Sequence, residues 1–69
     1  MRNSQREFSI GMLKEERSPG TIAETINMIT DSGLDHQKVC KQLLAATKGC
    51  ITDEEFLIAV KAVLTKERA

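Results

Sequence analysis

The sequence predicts a small all-α domain of three helices, near residues 21–32, 36–48 and 53–67, behind an irregular or strand-like N-terminal arm. Three observations carry this prediction. Apolar residues recur at helical spacing through most of residues 21–67. Two of the helices open on a residue able to cap them, with an apolar neighbour just outside that can clamp the entry. Glycines stand where helices must stop, at Gly33 and Gly49. The division that follows is an arm and linker over 1–20 and a three-helix domain over 21–69.

In the arm, Phe8, Ile10 and Met12 alternate with Ser9 and Gly11, the period of a strand with one apolar face. Such a strand needs a partner edge, so the expectation is either disorder or pairing with the same segment of a second chain. Lys14 to Gly20 reads as a solvated linker, with Pro19 forbidding a helix that runs through Ser18. Arg2, Arg6, Lys14 and Arg17 against Glu7, Glu15 and Glu16 leave the arm at +1.

The first helix is expected to open on a Thr21–Glu24 capping box and to bury Ile22, Ile26 and Ile29 on one face. The second opens on Asp35, with Leu34 and Val39 placed as a staple. It divides into an apolar side (Val39, Cys40, Leu43, Leu44, Ala46 and Thr47) and a polar side (Gln37, Lys38, Lys41, Gln42 and Lys48). The third opens on Thr52, with Glu55 closing the capping box and Ile51 stapled to Phe56. Its core stripe is Phe56, Leu57, Val60, Val63 and Leu64, yet Ile58, Ala59 and Ala62 continue round the far side. A helix apolar on most of its circumference is usually covered on more than one side, so the second stripe is expected to be an interface. Residues Ile26, Ile29, Val39, Leu43, Phe56, Val60 and Val63 are expected to be buried together.

A chain of 69 residues has room for one small domain. At that size a core supplies only about 3–5 kcal/mol, and with Phe8 and Phe56 as the only aromatics a partner subunit becomes attractive. The net charge of zero weakens any general case for a nucleic-acid binder. Without an apolar run of about 18 residues no membrane span is expected. Cys40 and Cys50 with the single His36 fall short of a zinc site, so no metal is expected. Two cysteines of this kind read as reduced thiols in a cytoplasmic protein.

The stretch Gly49–Phe56 resembles the exit half of an EF-hand calcium loop, but the entry positions fall on Leu44, Ala46 and Lys48, which supply no carboxylate. The shared letters are those of one helix stopping and the next starting. A strand followed by helices resembles the ribbon-helix-helix repressors, which implies a dimer with Arg6, Ser9 and Gly11 facing DNA. A helix-turn-helix reader is the related possibility, with Gln37, Lys38, Lys41, Gln42 and Lys48 as the nucleic-acid face. No nucleophile stands beside a base at an activating spacing, and each interhelical glycine serves helix punctuation, so neither an enzyme nor a cofactor is expected. The function expected is therefore that of a regulatory or adaptor protein binding another protein, or itself as a homodimer, through Ile58, Ala59, Ala62, Phe8, Ile10 and Met12. The alternative is a dimeric DNA-binding regulator.

Overall fold

A computed structural model describes residues 3–14 and 16–68; Met1, Arg2, Glu15 and Ala69 lie outside the described residues. The described chain is all-α with four helices: α1 (Asn3–Leu13), α2 (Pro19–Ser32), α3 (His36–Ala46) and α4 (Asp53–Arg68). Helix α1 packs chiefly on α3 and α2, and α4 packs on α3 and α2 as well, while Leu13 of α1 joins Phe56, Val60 and Leu64 of α4 in one core.

The extra helix corrects the strand-like reading of the arm. Phe8 and Ile10, the supposed buried face, are each 40 % exposed, whereas Ser9 and Leu13 are fully buried. Positions 9 and 13 lie one helical turn apart, so the buried face has period 3.6 and not 2. Ser9 hides that period because a hydroxyl does not register as apolar. Its Oγ donates to the Gln5 carbonyl at 2.9 Å, which removes the cost of burying it. With no strand among the described residues, the resemblance to ribbon-helix-helix proteins loses the element it rested on.

Helix α2 begins two residues earlier than expected. Ser18, extended at φ −67° and ψ 149°, is the cap, and its Oγ accepts from the Thr21 N–H at 3.3 Å. Pro19 occupies the first helical position, where its missing N–H costs nothing. Pro19 thus bars a helix through Ser18 and starts one after it. Thr21, taken for the cap, is instead buried inside the first turn, and its hydroxyl lies 2.8 Å from the Ser18 Oγ. Gly33 ends the helix in the left-handed region at φ 74°, its N–H donating to the Thr30 carbonyl.

Helices α3 and α4 open as expected. The Asp35 carboxylate accepts from the Lys38 N–H at 3.0 Å. Thr52 Oγ1 accepts from the Glu55 N–H at 3.1 Å, and Glu55 Oε1 accepts from the N–H groups of Thr52 and Ile51 at 3.3 and 2.9 Å. The Ile51 staple is the exception, because Ile51 is 82 % exposed and does not cover Phe56. Helix α3 stops at Ala46, two residues short of the expected end, and Gly49 at φ 93° turns the chain towards α4.

The core cluster joins Leu13, Ile29, Val39, Cys40, Leu43, Phe56, Val60 and Leu64, with Ile26 fully buried as well. Val63, expected in the core, is half-buried and packs against it. Leu34 also packs on the cluster, in keeping with its role at the entry to α3.

Candidate functional site

The residues expected to bind a partner separate onto two surfaces, one on α1 and one on α4. Ile58 is 62 % exposed at the middle of α4, Ala62 is exposed one turn later, and Ala59 is half-buried beside them. Phe8 and Ile10 are exposed on α1, while Met12 is half-buried and packs partly on the core.

Ile10 has a context that sequence reading missed. It lies in a groove between α1 and α2, a hollow of about 410 Å³ lined by Arg6, Ile10, Lys14, Arg17, Pro19, Ile22 and Ala23. Four of these seven residues are apolar and the other three are basic. The physical cause is local. Arg6 and Ile10 lie one turn apart on α1, Lys14 follows directly after its end, and Ile22 and Ala23 stand in the first turns of α2. Arg6 Nη1 donates to Asn27 Oδ1 at 3.3 Å across the groove. Arg17 is turned inward, towards Asp53, the Cys50 carbonyl and the Phe56 ring. Lys14 has no ion-pair partner among the described residues. The signal available beforehand was the 6–10–14 spacing, which the alternation of Phe8, Ile10 and Met12 obscured.

Phe8 borders a different hollow, of about 350 Å³, with Ser4, Gln5, Leu34, Asp35, His36 and Gln37 around it. Behind this hollow Ser9 Oγ lies 2.7 Å from His36 Nδ1. A serine beside a histidine is the geometry of an activated nucleophile, but the proton runs the wrong way. Ser9 donates to the Gln5 carbonyl, so its oxygen accepts from the Nδ1–H tautomer of His36, and the serine is fully buried. The pair therefore ties α1 to the start of α3. Cys40, one turn after His36, is also buried. Burial pushes its thiol above the ordinary value, with the neighbouring Ser9 side chain only partly opposing that, which makes it a poor nucleophile at neutral pH. Cys40 and Cys50 both stand as free thiols.

On the expected nucleic-acid face, Gln37, Lys38 and Lys41 are exposed on α3, Lys48 is exposed in the turn beyond it, and Gln42 is half-buried. Lys38 pairs with Glu67 of α4 at 3.8 Å while its side chain stays 68 % exposed. No group of three metal-ligating side chains occurs among the described residues, nor does any helix long and apolar enough to cross a membrane. Compared with family models, with curated proteins and with solved structures, the chain finds no match.

Proposed function

We propose that this chain is a small non-catalytic binding module, regulatory or adaptor in character, that engages protein through exposed apolar helical surface in the cytoplasm. The observation that supports it best is the α1–α2 groove, where Ile10, Pro19, Ile22 and Ala23 form an apolar floor within a basic rim. Isolated exposed apolar residues are ordinary on a surface, whereas a concave run of them beside basic side chains is suited to a ligand with an apolar face. The inward-turned proton of Ser9 and the buried Cys40 support a non-catalytic reading, and two free thiols fit a reducing compartment.

Photo-crosslinking in native extract tests this reading, with a benzophenone amino acid replacing Ile22 in the groove, Ile58 on α4, or Lys66 as a surface control. Protein adducts formed at Ile22 or Ile58 and not at Lys66 support it. Equal yield at all three positions removes it. Adducts lost on nuclease treatment, with retention on DNA that falls steeply as salt is raised, transfer the assignment to the DNA-binding alternative through the α3 face.

A further inference from the structure

We propose that the outer face of α4 is the interface of a symmetric dimer, in which α4 of one copy lies antiparallel to α4 of a second copy, centred on Ile58. The inference rests on the binding reading above and specifies the partner of one of its two surfaces. Helix α4 buries Phe56, Val60 and Leu64. The face opposite them carries Ile58, 62 % exposed, with Ala62 exposed one turn later. Ile51, at 82 %, immediately precedes the same helix. These two isoleucines are the most exposed large apolar side chains among the described residues.

Charge on α4 selects both the partner and the direction. Asp53, Glu54 and Glu55 fill the first turn, and every basic side chain of the helix, Lys61, Lys66 and Arg68, comes later. Two of the acids are already engaged, Asp53 by Ser18 and Arg17, and Glu55 by the N–H groups of Ile51 and Thr52. Glu54 and Lys61 are exposed, and neither forms an ion pair among the described residues. Seven residues apart, they share one flank of the helix, about 6 Å before Ile58 and about 4.5 Å beyond it along the axis. In a two-fold antiparallel pair each flank meets the same flank of the other copy, reversed. Setting Ile58 on Ile58 of the second copy therefore brings Glu54 level with Lys61 of that copy, and Lys61 level with its Glu54. Arg68 and Asp31 line the hollow beside Lys61, so the edge that Glu54 approaches holds two cations to one anion. Lys66 falls level with the uncharged Gly49 and Cys50 of the second copy, and Lys48 with both Glu67 and Arg68. Glu55 comes beside Ala62, whose small side chain leaves room for it. A parallel pair instead joins unlike flanks and sets Glu54 beside Glu55 of the second copy, which repel. The α1–α2 groove takes no part in the contact.

Sedimentation of the full chain at about 0.1 mM, where a dimer of comparable Kd is half formed, tests the proposal. The unaltered protein should sediment as a dimer in exchange with monomer. Ile58→Glu should be monomeric with unchanged helicity, because the position is open to solvent. Glu54→Lys and Lys61→Glu should each weaken self-association about tenfold, by setting like charges level. Mixed in equal amounts, these two variants should associate more tightly than either does alone, since each mixed pair regains both attractions. A chain carrying both changes should likewise recover the association of the parent. A parent that stays monomeric overturns the proposal. So does an Ile58→Glu chain that still dimerises, or a pair of charge variants with no preference for each other. Crosslinking at Ile22 to a different protein, beside a monomeric chain, keeps the binding reading and removes the dimer.

Discussion

The guanidinium of Arg17 stands over the Phe56 ring, 4.9 Å from its centroid. The same guanidinium donates to the Cys50 carbonyl and pairs with Asp53 at 3.5 Å. One side chain from the α1–α2 connection thereby fastens the α3–α4 turn and the first turn of α4. It is itself almost wholly buried, at 7 % side-chain exposure, so its contacts are worth more than those of a surface pair.

Arg17→Ala should therefore destabilise the fold by about 1–3 kcal/mol, a large share of what so small a core supplies. Arg17→Lys should recover little of this, because an ammonium cannot stack on the ring and fork to two acceptors together. Urea unfolding followed by circular dichroism measures both. An Arg17→Ala variant as stable as the parent would remove the role given to this contact.

Acid should weaken the same node. The Ser18 hydroxyl, donating to Asp53 at 2.8 Å, chiefly holds that carboxyl below the ordinary aspartate range, with Thr21 and Arg17 adding to it. A depressed value in the folded state means the stabilisation is complete above the unfolded value of about 3.9 and disappears as pH falls through the folded one. At neutral pH Asp53→Asn should melt below the parent. The two melting curves should converge below about pH 4, where the parent carboxyl takes up its proton. A gap that stays constant down to pH 2 would show that Asp53 does not act through its charge.

The two thiols should differ in reactivity. Cys40 is fully buried with its ionisation suppressed, while Cys50 is half-exposed in the α3–α4 turn. A thiol reagent at neutral pH should label Cys50 in the native protein, and Cys40 only after denaturant is added. Mass spectrometry of timed samples reads the order, and simultaneous labelling would contradict the burial of Cys40.

Helix α1 should behave as part of the core. Leu13 is 1 % exposed within the central cluster, so Leu13→Ala should cost about 2–5 kcal/mol and lower the melting temperature sharply. Melting left unchanged by this substitution would mean that α1 does not dock as described.

The parts of this fold legible in the sequence are those written locally. Asp35, Thr52 with Glu55, and Gly33 each specify a helix end through bonds spanning four residues or fewer, and each was identified from spacing alone. Helix α1 was not legible, because its buried face consists of Ser9 and Leu13 while its outward Phe8 and Ile10 mimic a strand. The start of α2 was ambiguous between two candidate caps, and Ser18 prevails over Thr21 because it also bonds Asp53, 35 residues away. The groove needed α1 as a helix before Ile10 and Ile22 could be set side by side. For the same reason Arg17, read as part of a solvated linker, gave no sign of Phe56.

The order in which the helices pack has one more consequence. Besides packing on its neighbour in the chain, α1 leans on α3 and α2 on α4, so two of the pairings pass over the helix between. The fold is interlaced, and no cut divides it into two self-sufficient pieces. A protease nick between Gly33 and Asp35 would leave an amino-terminal fragment whose Leu13 and Ile29 lack the Val39, Leu43, Phe56 and Val60 they pack among. The carboxy-terminal fragment would expose the other half of the same cluster. Each would be a poor fold alone and a specific mate for the other, so the nicked chain should hold together until denaturant parts it.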